Sequence, residues 1–394
     1  MNDFQFCAPT RIHFGRGEEN RVGALLKESG ATSVLVLHYG GQAFEAALME
    51  RVLASLEAAG LRFTCFGGIQ ANPSLALARA AAQAAADANA DYILAIGGGS
   101  VIDTAKFASL QARYAGDLWE DCFLHKERAY TGAHIPLAVI QTLAGSGSEV
   151  SQSCLISEGS RKIGREDEAF RPAIAILNPE LTLTQSAYQT GCGIADIFCH
   201  LHESYFSPTP GDVVNEGMME GLMRAVIQCA GILRQEPLNY NARAQILWAA
   251  AWASSHAFWC GRTVDGAVHF AQGPISAVCG SAHGHGCAVL TIGWLRYVYP
   301  RDMDRFVRYF TRIWDIPADP SNPAQVIEAG IAAQKRFYED VLGLPIGLAA
   351  IAVREEDIPL LSQQTEKTSA GRVGTLFALD EQDVQNIYRL SGQG

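Results

Sequence analysis

Asp196 and His200 stand four residues apart in Gly193-Ile194-Ala195-Asp196-Ile197-Phe198-Cys199-His200, so a helix through this stretch presents a carboxylate and an imidazole on one face. Further along, His269 and His283 are fourteen residues apart, a gap that can carry the chain from a helix into the loop that follows it. One oxygen and three nitrogens form a donor set suited to Fe2+ or Zn2+, with room for a substrate oxygen. A lone histidine is more often structural than functional, and His13, His38, His125 and His134 are read that way; His202, His256 and His285 are left open. His285, two residues past His283, could face the same cavity.

A second chemistry-bearing stretch is Ile93-Leu94-Ala95-Ile96-Gly97-Gly98-Gly99-Ser100-Val101-Ile102-Asp103-Thr104-Ala105-Lys106, which sets three glycines between a strand and a helix. Without Cβ atoms the backbone can approach a phosphate, and a helix start offers unpaired N–H donors and a favourable dipole. Ser100 is a candidate cap for that helix. Neither the G-x-G-x-x-G spacing nor the Walker pattern is met, because Lys106 lies too far beyond the loop. A second small-residue loop, Thr142-Leu143-Ala144-Gly145-Ser146-Gly147-Ser148-Glu149, follows another strand candidate. Two such loops on one parallel sheet favour a cofactor, since ligands collect at the carboxyl ends of the strands.

The elements that must position these groups divide the chain in two. Up to about Leu183, short apolar runs alternate with alanine-rich helical stretches, the pattern of a parallel sheet wound with helices. Val34 to Leu37, Leu61 to Phe66, Asp91 to Ile96, Pro136 to Ile140 and Ala173 to Leu177 are expected strands, and Thr10 to Phe14 a terminal one that could pair with a neighbouring subunit. After Gly40-Gly41 a helix is expected through about Ala59, and another over Ser74 to Asn89. Beyond Leu183 strand-like runs become scarce. Helices are expected over Gln185 to Phe206, Val213 to Leu233, Asn241 to Trp259 and Arg301 to Trp314. The expectation is an α/β domain over residues 1–183 and an all-helical domain over 184–394, joined by a tight hinge.

Composition narrows the function. The 394 residues are 48% apolar and carry a net charge of −11, which suits a globular enzyme and argues against a nucleic-acid surface. No basic segment leads into an apolar run at Met1-Asn2-Asp3-Phe4, and no stretch approaches the roughly 20 apolar residues of a membrane helix, so a cytoplasmic protein without a membrane partner is expected. The ten cysteines show no Cys-x-x-Cys pair and are read as reduced thiols, none assigned to metal.

With these residues in view, the chain resembles the iron-dependent, or group III, alcohol dehydrogenases. The matching features run in order along nearly its whole length: Pro9-Thr10-Arg11-Ile12-His13-Phe14-Gly15-Arg16-Gly17, Asn72-Pro73, Gly97 to Lys106, Gly145 to Val150, and the two metal segments. Asn239-Tyr240-Asn241-Ala242-Arg243 leading into Trp248 is similar to the NADPH-dependent aldehyde reductase and butanol dehydrogenase branch. The resemblance implies a dehydroquinate-synthase-like fold, a dinucleotide-binding α/β domain with parallel sheet followed by an all-α metal-binding domain. It implies Asp196, His200, His269 and His283 as ligands of Fe2+ or Zn2+. Gly97, Gly98, Gly99, Ser100 and Asp103 are implied on the pyrophosphate and nicotinamide side, with Asn72, Thr142, Lys162 and Leu183 as further contacts; Gly40, Gly41 and Ser146 join them from the two loops. It implies hydride transfer between NADP(H), or NAD, and a small aldehyde or primary alcohol, in a homodimer.

One position departs from the family. A histidine associated with proton relay normally lies four residues after the third ligand, where this chain has Gly273 in Val268-His269-Phe270-Ala271-Gln272-Gly273-Pro274. Water, His285 or Gln272 could substitute, so His285 and Asp103 are the catalytic candidates beside the metal. Where NAD-preferring relatives carry an acidic residue after the first strand, this chain has His38-Tyr39-Gly40-Gly41-Gln42, which leaves room for the 2′-phosphate of NADPH. Phe198, Trp252, Phe258 and Trp259 could line a substrate pocket or pack in the core. Two alternatives stay open: a phosphorylated or phosphonate aldehyde met by Arg161, Lys162, Arg165 and Arg262, and a catalytically impaired, cofactor-binding homologue.

Overall fold

A computed structural model of the chain describes residues 1–41, 43–125 and 130–393. It separates into two compact units, Cys7–Thr184 and a second made of Met1–Phe6 with Gln185–Gly394. The opening residues join the second unit through the Asn2 amide, which donates to the Gly261 carbonyl at 2.7 Å.

In the first unit the strands are β1 (Arg11–Phe14), β2 (Ser33–His38), β3 (Arg62–Phe66), β4 (Tyr92–Gly97), β5 (Leu137–Gln141), β6 (Ser153–Glu158), β7 (Arg161–Glu166) and β8 (Ile174–Leu177). Six of them form a parallel sheet in the order β1-β8-β5-β4-β2-β3. The central strands β4, β5 and β8 are buried along their whole length, as continuous Ile, Leu, Val and Ala runs require when helices cover both faces. Edge strands β1 and β3 are more exposed and less apolar. The terminal strand thus spends one side on its own chain, pairing β8 from Arg11↔Ile174 to Phe14↔Leu177; the other side is the edge of the sheet.

Helices α1 (Val22–Glu28), α2 (Ala46–Ala58), α3 (Leu75–Asp87) and α4 (Gly99–Gln111) connect these strands. Ser74 begins α3 by accepting the Leu77 amide hydrogen, and α4 is sunk into the unit, buried from Val101 to Leu110. The β6–β7 hairpin is antiparallel and carries Lys162; its mixed polar sequence gave no strand expectation.

The second unit is helical: α5 (Ala187–Tyr205), α6 (Val213–Gln235), α7 (Tyr240–Ala253), α8 (Ala267–Cys279), α9 (His283–Val298), α10 (Met303–Ile313), α11 (Pro323–Arg336), α12 (Ile358–Gln364) and α13 (Glu381–Gly392). A reciprocal Ser186–Gln189 capping box fixes the start of α5. Helix α7 is shorter than its sequence suggests, because the chain leaves it at Ser254 and His256 takes a left-handed conformation. Among the described residues no helix is long and apolar enough to cross a membrane.

Candidate active site

The chain order of the sheet reverses between β2 and β4, and such a reversal opens a crevice at the carboxyl ends of the strands. Both predicted glycine loops leave from those ends: Gly97 and Gln141 are register partners, and the Thr142 amide donates to the Gly97 carbonyl at 3.1 Å. The helix cap is Gly98 in extended conformation, not Ser100, which lies in the first turn of α4; no side chain caps that end. A methyl group on Gly99 would stand 2.9 Å from Ser146 Oγ, so the two loops are packed as closely as glycine allows.

Tyr39, at the end of β2, was not expected here. Its hydroxyl accepts the Gly98 amide hydrogen at 3.0 Å. Glu45 holds the same turn, accepting the amides of Tyr39 and Gly40 at 2.9 Å each, while Gly40 and Gly41 take positive φ of 82° and 78°. Gln42 lies outside the described residues. Behind the loop, Asp103 is buried, accepting from Ser148 Oγ at 2.7 Å and from the Leu155 amide at 3.2 Å; burial pushes its carboxyl up. Lys106 is fully enclosed, donating to the Ser151 and Ser153 carbonyls and to Ser151 Oγ, and burial brings it down to about 8. Asn72 sits in a left-handed turn before α3, Lys162 on β7 and Leu183 in the short helix Pro179–Thr184, all in this first unit.

The predicted metal-binding side chains lie together in the second unit. Asp196 and His200 project from α5, His269 from the first turn of α8 and His283 from the first position of α9. Oδ1 of Asp196 lies 3.6 Å from Nε2 of His269 and 3.5 Å from Nε2 of His283. His200 stacks on His269 with ring centroids 4.7 Å apart, and its Nδ1 is 3.9 Å from the same carboxylate oxygen. The most compact donor set is Asp196, His269, His283 and Cys287, whose ligand atoms all lie within 4.8 Å of one another.

Two imidazoles of this set are oriented from behind. Nδ1 of His269 hydrogen-bonds to Glu203, which also accepts the His269 amide at 2.9 Å, and Nδ1 of His283 hydrogen-bonds to Oε1 of Gln272. An N–H on each Nδ1 leaves the Nε2 lone pairs turned toward Asp196, the second-sphere arrangement that prepares histidine for a metal. Sequence reasoning missed Glu203 and Cys287, although helical spacing marks both: Glu203 is seven residues past Asp196 and Cys287 four past His283.

The set also fits a cation electrostatically. Asp196 Oδ1 and His269 Nε2 are buried without a hydrogen-bond partner, although they face each other. Two acceptors so placed need positive charge between or on them. Burial would raise the Asp196 carboxyl, but His200, His283 and His269 outweigh it and hold it well below the usual range. Burial disfavours a charged His269, while Glu203, Cys287 and Asp196 favour positive charge beside this ring, the charge that an ion at Nε2 would supply. His200 is pushed down to about 4, chiefly by burial, which favours its neutral form; its Nδ1 also lies 3.4 Å from Ser254 Oγ.

The substitutes considered for the relay histidine are otherwise engaged. Gln272 holds His283 and donates to Ser276 Oγ at 2.7 Å. His285 has Nε2 2.9 Å from the Pro345 carbonyl and Nδ1 3.2 Å from the Tyr188 hydroxyl, so Tyr188 donates to it. A Cβ on Gly273 would meet open space. Arg262 does not serve a phosphate: with no exposed side-chain surface it pairs with Asp212 at 3.2 Å and donates to the Tyr205 carbonyl. Phe198 is core, packed on Trp314 and Phe337, and Phe258 is buried beside Trp252.

Family comparison agrees with the two-part architecture. Residues 9–179 match the model of iron-containing alcohol dehydrogenases, and residues 190–392 match the C-terminal model of the same family. The chain belongs to the iron-containing alcohol dehydrogenase family and is an oxidoreductase of that class. It is 31% identical to the NADH-dependent butanol dehydrogenase A of Clostridium acetobutylicum, over 99% of this chain and 100% of that protein. It is 28% identical to the NADPH-dependent aldehyde reductase YqhD of Escherichia coli, over 95% of each. Among solved structures, the butanol dehydrogenase A of Thermotoga maritima superposes with a TM-score of 0.93 at 28% identity, covering 100% of this chain and 99% of that one.

Proposed function

We propose that this protein transfers hydride between a nicotinamide dinucleotide and a small, unphosphorylated aldehyde or primary alcohol, with one divalent ion, Fe2+ or Zn2+, held by Asp196, His200, His269 and His283. The observation that carries the reading is the buried Asp196–His269 pair of unpartnered acceptors, backed by the Glu203 and Gln272 contacts that fix both Nε2 lone pairs. Names of relatives, a butanol dehydrogenase and an aldehyde reductase, support a short-chain substrate. When bound, the ion supplies Lewis acidity toward a carbonyl oxygen and the dinucleotide supplies the hydride.

The chain's own residues do the rest. The amides opening α4, with Gly97, Gly98, Gly99 and Ser100, bind the pyrophosphate, and Ser146 and Thr142 close the loop over it. Asn72, Lys162 and Leu183 complete the dinucleotide contacts, and Asp103 holds the β6 side of the loop through Ser148 and Leu155. Tyr188 donates a hydrogen bond to Nδ1 of His285, and Nε2–H of that ring donates to the Pro345 carbonyl, which fixes the tautomer and orientation of the imidazole. With Gly273 in place of the family histidine and both Gln272 and His285 engaged, water delivers the proton in this reading.

NADPH is the preferred form in this reading. The one carboxylate in the turn after β2, Glu45, spends both oxygens on backbone amides and is withheld from the ribose. The sequence between His38 and Arg51 also lacks Lys and Arg, so discrimination is modest and NADH is accepted.

The test is aldehyde-dependent oxidation of NADPH and NADH at matched concentration, on protein stripped by chelator and reloaded with Fe2+ or Zn2+. Turnover lost on stripping and restored on reloading is expected, with NADPH ahead. Turnover indifferent to chelation, or absent across a panel of short aldehydes after reloading, would overturn the proposal.

A further inference from the structure

We propose that Cys287 supplies a thiolate donor to the ion held by Asp196, His269 and His283, giving a mixed oxygen, nitrogen and sulfur site. This rests on the metal reading above and adds a fifth donor to its four, with His200 Nδ1 3.9 Å from the Asp196 oxygen. Cys287 lies on α9 one turn beyond His283, so both side chains leave the helix on one face. Its Sγ is 3.8 Å from Nε2 of His283, and it is fully buried.

The spacing is that of a coordination shell. Donors at the usual metal–nitrogen, metal–oxygen and metal–sulfur lengths that share one ion stand roughly 3–4 Å from their neighbours. The edges found here are 3.5 Å for Asp196–His283, 3.6 Å for Asp196–His269 and 3.8 Å for His283–Cys287. The Asp196 and His269 atoms in this set are also the buried ones without partners, so the shell has an acceptor excess that a cation meets. Sulfur is softer than imidazole or carboxylate, and its presence moves the selectivity of the site toward Zn2+.

Titrating the stripped, full-length protein with Co2+ tests this, because cobalt reports a thiolate ligand by an intense near-ultraviolet charge-transfer band and its geometry by weaker visible bands. The native protein is expected to show both. Cys287→Ala, with Cys287→Ser as the size-matched variant, loses the near-ultraviolet band and keeps the visible ones, while Cys199→Ala keeps both. Visible bands without a charge-transfer band in the native protein, or a band that survives Cys287→Ser, would overturn the assignment and leave the metal site standing. A band lost only in Cys199→Ala would move the ligand to Cys199 and refute it for Cys287. No visible bands in any variant would defeat the metal site itself, and the thiolate ligand with it.

Discussion

Glu203 hydrogen-bonds to Nδ1 of His269, and the opposite nitrogen of that ring faces Asp196 Oδ1 at 3.6 Å. The carboxylate therefore fixes which nitrogen carries the proton and which offers a lone pair. Glu203 is seven residues past Asp196 on the same helix, so one element delivers both the donor and the group that orients its neighbour.

Glu203→Gln keeps the side-chain shape and removes the negative charge. It is expected to weaken metal binding by about 10–100-fold, the range seen for second-sphere partners of metal-bound histidine. Competition against a chelating dye reads the change. Unaltered affinity would mean the hydrogen bond has no part in holding the ion.

Gly99→Ala should act on the other half of the chemistry. Its Cβ would press on Ser146 Oγ, forcing apart the two loops proposed to hold the pyrophosphate. Dinucleotide affinity is expected to fall at least about tenfold, equal to 1.4 kcal/mol, with metal content unchanged. Fluorescence titration with NADPH checks the first and elemental analysis the second; a variant that binds NADPH as the native protein does would remove the loop from the site.

Arg262→Met separates a structural arginine from a substrate-binding one. Removing it leaves Asp212 buried and uncompensated, which costs about 3–5 kcal/mol. Denaturant midpoints should fall accordingly, while KM for an unphosphorylated aldehyde stays put in the folded fraction. A raised KM with unchanged stability would place Arg262 in the substrate site instead of the scaffold.

Asp91 gives a pH-dependent test of the scaffold. It accepts the Thr32 and Ser33 amides and the Thr32 hydroxyl, tying the start of β4 to the start of β2. Burial is the largest single influence and raises its carboxyl, but these bonds together outweigh it and hold the native value below the ordinary carboxylate one. The unfolded chain therefore takes up this proton first as pH falls. The stabilisation, about 1 kcal/mol after solvent screening, is present above the unfolded value near 3.9 and is lost as pH falls through the lower native value. The stability gap between native protein and Asp91→Ala, measured by urea unfolding, should be full at pH 7 and narrow toward pH 3; a gap constant with pH would contradict the assignment.

Sheet edge β1 provides the oligomer test. Its outward side carries Ile12, more than a third exposed, and the homodimer reading pairs this edge with a second copy. Light scattering should give about twice the mass of one chain, and Ile12→Pro should halve it. A native monomer would discard that reading.

The sequence carried most of the scaffold because its signals are local. Continuous apolar runs mark β2, β4, β5 and β8, and alanine-rich periodicity marks α3. The β6–β7 hairpin escaped notice because Arg161, Lys162, Arg165 and Glu166 break any apolar pattern, and the end of α7 because nothing before His256 announces a left-handed turn. Spacing four on α5 brought Asp196 and His200 to one face as expected. Which groups orient the histidines was not legible, since Glu203 meets His269 across 66 positions and Gln272 meets His283 across 11. The role of Tyr39 was hidden for the same reason: it reaches Gly98 across 59 positions.

The most direct measurement is metal content by elemental analysis of the native protein and of Asp196→Ala, each loaded with Fe2+ or Zn2+ and freed of loose ion. One ion per native chain, and none in a variant that keeps its circular dichroism spectrum, is the predicted result. Equal metal in both proteins, or none in the native one after loading, would contradict the account.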